Sequence, residues 1–306
     1  MVAELLGRRL LVIAGKGGVG KTTIAAALGQ LAADHGLRTL LVEVDAKGDL
    51  ARAVGIDGAG FAPVEARPHL WVMEMDTQAA LEEYLRIWVR LPFLGRLPGL
   101  GRIFDFVATA APGVRELLVV GKICYEIRED HYDLVVVDPP ASGHVVSQLG
   151  VTSGVGELIQ LGLVQGQTAW MLDILSDPAT SLALLVATPE ETPVEEALEL
   201  AERIVAETPV HLGGAIVNRV VPEVLQPAEL RALAQVAEAG PHDLGAVVDA
   251  ARLAQGIARQ HARNRRVLAE GLGPGTHIVE LPELFATVGA DGIVAELAEV
   301  LEVVLW

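Results

Sequence analysis

Cysteine is almost missing from this chain: Cys124 stands alone among 306 residues. A single thiol excludes an intramolecular disulfide framework, and any zinc or iron–sulfur cage made from one chain's thiolates. Two chains sharing a metal through one Cys each stays open, beside the simpler reading of Cys124 as a small buried hydrophobe on a helix. Aromatics are scarce as well, 12 in all, so the core of this 51% hydrophobic sequence rests on Leu, Val, Ile and Ala. Basic residues are in deficit, 23 against 40 acidic ones, for a balance of −17. That field repels nucleic acid and anionic membrane surfaces, and argues against a basic-stripe DNA binder. No apolar run reaches the roughly 18 residues of a spanning helix, and Met1 to Leu10 has no apolar signal core. The expectation is a soluble, cytoplasmic protein with no nucleic-acid partner and no stable membrane insertion.

What is present is an alternation. Short apolar runs at Leu10–Ala14, Thr39–Val44, Leu70–Met75, Leu134–Val137, Leu182–Ala187, Ala215–Val217 and Ile278–Leu281 read as buried strands. Helical patterns lie between them, at Thr22–Asp34, Val194–Glu207, Pro227–Ala239, Leu244–Glu270 and Asp291–Val304. Nearly all-apolar strands alternating with helices predict an α/β fold, a mostly parallel sheet with helices on both faces. Two stretches break the rhythm, approximately 77–130 and 153–178, and read as one helical subdomain inserted into a single domain spanning 1–306. No linker, low-complexity tract or internal repeat divides the chain.

Between the first strand and the helix after it stands Gly15-Lys16-Gly17-Gly18-Val19-Gly20-Lys21-Thr22-Thr23. Its spacing satisfies G-x-x-x-x-G-K-[ST] in the strand–loop–helix setting the motif requires, which predicts a P-loop NTPase. Glycines there let successive backbone N–H groups turn toward phosphate oxygens, and the helix adds its positive end. Lys21 is expected to neutralise the β- and γ-phosphates, Thr22 to ligate Mg²⁺, and Thr23 to reach the α-phosphate of ATP. An ordinary phosphate loop does not need Lys16. It is poorly placed to fold back on its own nucleotide but could reach a phosphate held by a facing subunit. A solvated surface lysine is the plainer reading.

This loop resembles the deviant Walker A of the dimeric ATPases that include arsenical pump ATPases, tail-anchored protein targeting ATPases, partition and septum-positioning ATPases, and nitrogenase iron protein. The resemblance implies that Lys16 serves the partner's active site, in a homodimer or a heterodimer with a paralogue. Val44-Asp45-Ala46-Lys47-Gly48 follows the second strand, where the pump and targeting branch carries an Asp-Pro-Ala-His switch. Asp45 matches the aspartate that orients the attacking water, although Pro and His are replaced by Ala46 and Gly48; a turn or cap role is the alternative. Asp138-Pro139-Pro140-Ala141-Ser142-Gly143-His144 resembles the second switch, with Asp138 holding the Mg²⁺ shell. Gly143 would lend an N–H to the γ-phosphate, and His144, unless merely a polar helix-start residue, would report that contact onward.

Asn218 closes a late strand where the family reads the adenine edge, a task suited to an amide that is both donor and acceptor; a turn residue is the alternative. Pro282, in Leu281-Pro282-Glu283-Leu284, occupies the other base-flanking loop. In the helical region Leu81, Tyr84, Leu85 and Trp88 share a face, followed by Leu94, Leu97, Leu100, Phe104 and Val107 and by Ala111-Pro112-Gly113. Such a surface suits a groove for a hydrophobic protein client, or a subdomain packed on itself or its twin. The absence of cysteine pairs sets aside a thiolate metalloid site, a zinc clamp and an iron–sulfur reductase. The acidic, apolar C-terminus sets aside a basic membrane helix. The expectation is an Mg²⁺-dependent dimeric ATPase of the pump or targeting type. The alternatives are a nucleotide-gated scaffold with little hydrolysis and, third, a partition-type ATPase.

Overall fold

A computed structural model describes residues 5–45, 47–88, 113–140, 145–150, 162–223, 225–239, 243–284 and 290–305. Eight strands, β1 (Leu10–Ala14), β2 (Thr39–Glu43), β3 (Val64–Arg67), β4 (Leu70–Glu74), β5 (Leu134–Asp138), β6 (Ser181–Ala187), β7 (His211–Val220) and β8 (Ile278–Pro282), form one sheet. Its order is β3-β4-β2-β5-β1-β6-β7-β8. Every pairing is parallel except the edge pair β3–β4, which is antiparallel. The P-loop α/β fold expected from the alternation is the fold observed.

Period two explains why the central strands are apolar throughout. Leu10, Val12 and Ala14 of β1 enter one core and Leu11 and Ile13 the other. The second core is closed by α1 (Lys21–Asp34), α2 (Asp49–Ala53) and α9 (Ala290–Leu305). Helix α1 lies close because it is small: a Cβ at Gly29 would fall 2.4 Å from Leu41 Cδ2. The first core is closed by α3 (Thr77–Trp88), α4 (Val114–Arg128), α5 (Gly162–Ser176) and α6 (Glu191–Glu207). Helices α7 (Pro227–Ala239) and α8 (Asp243–Leu272) pack on each other, and α8 also rests on α6.

The described part of the helical region is thus a layer of the sheet's own core. Leu118, Val119, Ile123 and Ile127 of α4 are buried in the same cluster as Val135 and Val137 of β5. The apolar series Leu94 to Val107, Ala111-Pro112 and the side chains of Leu85 and Trp88 lie outside the described residues. No described helix is long and apolar enough to cross a membrane.

Parallel strands point their carboxyl ends the same way, so the segments after β1, β2 and β5 gather at one rim beside the centre of the sheet, where ligands of open α/β sheets bind. Register makes this concrete: Glu43 ending β2 stands opposite Asp138 ending β5.

Candidate active site

The loop after β1 is shaped by contacts that forbid side chains. A Cβ at Gly15 would fall 2.5 Å from the Val186 carbonyl oxygen. Gly20 has φ 96°, and a Cβ there would fall 2.4 Å from Asn218 Nδ2. Gly17 and Gly18 are exposed, Val19 is buried beneath them, and Thr23 is half-buried in the first turn of α1. Lys21 begins α1 and is only 7% exposed. Its ammonium donates to the Lys16 carbonyl at 3.2 Å. Burial pulls its pKa below the ordinary lysine value, opposed by the nearby Asp138 carboxylate and reinforced by the Lys47 charge.

Thr22 and Asp138 meet directly, the threonine hydroxyl donating to Asp138 Oδ2 at 2.6 Å. Asp138 is buried, and its other oxygen, Oδ1, has no hydrogen-bond partner among the described residues. Burial pushes its pKa up to about 6; Glu43 and Asp49 add to the rise, while the Thr22 bond and Lys21 oppose it. A hydroxyl beside a carboxylate with an unsatisfied, buried oxygen is the donor set that a hydrated Mg²⁺ completes. No group of three or more His, Cys, Asp or Glu among the described residues could hold a metal by itself. The remaining ligands would therefore come from phosphate and water.

Lys21, Thr22, Asp45, Lys47 and Asp138 line one cleft, bounded by Gly18, Pro139 and Pro140. Within it Asp45 forms an ion pair with the Lys47 ammonium. The segment that carries both is held from below by Glu43. Its buried carboxylate accepts the backbone N–H of Lys47 at 3.1 Å, Asp49 at 3.2 Å and Leu50 at 3.1 Å, and so caps α2. Sequence reasoning missed Glu43. The signal was there: a carboxylate ending an otherwise apolar strand must find partners when buried.

Three expected residues sit elsewhere. Lys16 points away from the cleft, its ammonium 3.6 Å from Glu196 Oε1 on α6. Asn218 is buried and its Nδ2 donates to the Val19 carbonyl at 2.9 Å, so at least one amide hydrogen is given to the phosphate loop. Pro282 pairs in register with Val220, and the Glu283 N–H donates to the Val220 carbonyl, which sets the last loop beside the end of β7. Gly143 and His144 lie outside the described residues.

A family model described as Anion-transporting ATPase matches residues 8–161. ATPase BagA of Mycobacterium tuberculosis is 33% identical over 293 residues, covering 92% of this chain and 84% of that protein. An arsenical pump-driving ATPase of Acidiphilium multivorum is 27% identical over 234 residues, 70% of this chain and 40% of its own length. An ATPase ASNA1 homolog of Entamoeba dispar is 29% identical over 158 residues, 48% of this chain and 47% of its own.

Proposed function

The chain belongs to the anion-transporting ATPase family and hydrolyses ATP, and from that premise we propose that it does so with Mg²⁺ at the cleft after β1, between two subunits. The observation that carries this reading is the Thr22–Asp138 couple with its unpartnered Oδ1, set beside a buried lysine under a glycine loop. The loop's backbone amides, from Gly15 to Gly20, and Lys21 hold the β- and γ-phosphates. Thr22 and Asp138 hold the metal ion, which when bound supplies charge neutralisation between the phosphates. Thr23 serves the α-phosphate, and Gly143 the γ-phosphate.

Asp45 is an exposed carboxylate of the cleft that follows β2 directly, whereas Asp49, also exposed there, is paired with Arg52; this suits Asp45 to orient the attacking water. Asn218 and Pro282 flank the base. Lys16 supports a cross-subunit role by where it is: half-exposed, outside its own cleft, and, among the described residues, ion-paired only with a half-exposed glutamate. Such a pair is worth about 1 kcal/mol or less and yields readily to a phosphate of a facing subunit. One chain carries one phosphate loop, so a two-site assembly requires a second copy or a paralogue.

The test is ATP turnover per chain across a range of chain concentrations. It should rise with concentration as subunits meet, and Lys16→Ala should abolish the rise while leaving ATP affinity within about threefold. Turnover independent of concentration and of Lys16 would leave a one-subunit ATPase. Asp45→Asn should lower kcat by about 100-fold or more with nucleotide binding retained.

A further inference from the structure

Lys47 occupies a position that the phosphate-loop pattern does not require, in the segment where this sequence departs from Asp-Pro-Ala-His. Its main chain is fixed: the N–H is bonded to buried Glu43, and Gly48 next to it adopts a left-handed φ of 71° that a side chain rarely takes. Its side chain is not fixed in this way. It is 65% exposed, and its ammonium rests on Asp45, itself 43% exposed. A pinned backbone carrying a long, solvated cation at the lip of a phosphate cleft is a reach-and-hold arrangement.

The charge around it shows what the cation is needed for. Glu43, Asp45, Asp49 and Asp138 line the cleft with four carboxylates against two ammonium groups, Lys21 and Lys47. A nucleoside triphosphate brings several further negative charges. Lys21 is buried and accounts for one cation. Asp49 is paired with Arg52; without Lys47, Lys21 and the Mg²⁺ of the proposed site would face the other three carboxylates and the incoming phosphates, a balance that a further cation improves. Lys47 and Lys21 line the same cleft. The Lys47 ammonium also engages Asp45. A carboxylate with an oxygen committed to a lysine is a weaker acceptor for water.

We propose that Lys47 is a second phosphate-binding cation of its own subunit's site, selective for the terminal phosphate of a triphosphate, and that in taking up that phosphate it releases Asp45 to the attacking water. The inference rests on the reading of the cleft as the ATP site. It adds a recognition element that distinguishes ATP from ADP, and couples that recognition to the freeing of the water-orienting group. No covalent step is added; one ion pair is exchanged for another.

The experiment is calorimetric titration of ATP and of ADP, with Mg²⁺, into the wild type, Lys47→Ala and Lys47→Arg. Lys47→Ala should weaken ATP by about tenfold or more and ADP by less than about threefold, with the arginine variant recovering most of the ATP affinity. Equal losses for both nucleotides, or no loss for either, would overturn the proposal while leaving the site reading intact. Unchanged ATP affinity with faster turnover would also overturn it, showing that Lys47 only restrains Asp45. A wild type that binds neither nucleotide would remove the site reading and this inference together. The nucleotide-free melting temperatures of all three proteins should agree closely, since the side chain is 65% exposed and its ion pair is with a partly exposed partner.

Discussion

Replacing Asp138 by Asn should make the metal-free protein more stable at neutral pH while disabling its cleft. Burial raises the Asp138 pKa from the ordinary 3.8 to about 6, so the folded state holds a proton more tightly than the unfolded one. Stability from this group is fully present below about pH 4 and is lost as pH rises through about 6. At about 1.4 kcal/mol per tenfold change, the loss at pH 7 is roughly 3 kcal/mol as an upper figure. Asparagine carries no charge there and can still accept the Thr22 hydroxyl, so the variant escapes most of that loss. For a chain of this length the gain corresponds to a rise in melting temperature of roughly 5 °C. The assay is thermal unfolding from pH 4 to 8 in a chelator, followed by repetition with Mg²⁺ and ATP. The wild type should lose stability between about pH 4 and 6 relative to the variant, the two curves meeting at the acid end. Nucleotide with Mg²⁺ should stabilise the wild type and not the variant. A variant less stable than the wild type at pH 7 without metal would refute the reasoning, as would a gap that is the same at pH 4 and 8.

Glu43→Ala should cost roughly 2–4 kcal/mol in urea unfolding, since the N–H groups of Lys47, Asp49 and Leu50 lose their shared acceptor; an unchanged midpoint would show that the cap contributes nothing. Gly20→Ala places a Cβ at φ 96° and 2.4 Å from Asn218 Nδ2, so it should destabilise by about 1–3 kcal/mol and weaken ATP binding, both read by melting with and without nucleotide. Glu196→Gln frees Lys16 from its only ion pair among the described residues. Turnover should then reach its concentration-dependent plateau at lower chain concentration, and an unshifted curve would mean that the pair restrains nothing.

Much of the fold could be read from sequence because two signals are local. Strands buried on both faces need unbroken apolar runs, as in Leu10–Ala14 and Leu134–Val137, and the phosphate loop demands fixed glycines and a lysine at fixed spacing. Features set by distant partners were not readable. Glu43 is a nearer case: its partners lie only four to seven positions on, but which backbone groups it caps depends on the turn the chain makes after β2. Asn218 meets Val19 across 199 positions of sequence, and no local pattern announces that its amide braces the phosphate loop. Strand β7 begins at His211, earlier than the apolar run suggests, because Gly213 and Gly214 weaken the strand signal. Gly214 is there for space: a Cβ on it would fall 2.6 Å from the His277 carbonyl oxygen. The antiparallel edge strand β3 is short and half-exposed, with too little apolar alternation to stand out.

The central claim is that ATP binds in the cleft that Lys21, Thr22 and Asp138 close around. Isothermal titration of ATP with Mg²⁺ into the wild type and into Lys21→Ala tests it most directly. One nucleotide per chain in the wild type, with affinity lowered by about 100-fold or more in Lys21→Ala, is the predicted result. A wild type that takes up no ATP, or a Lys21→Ala variant that binds it equally well, would contradict the account.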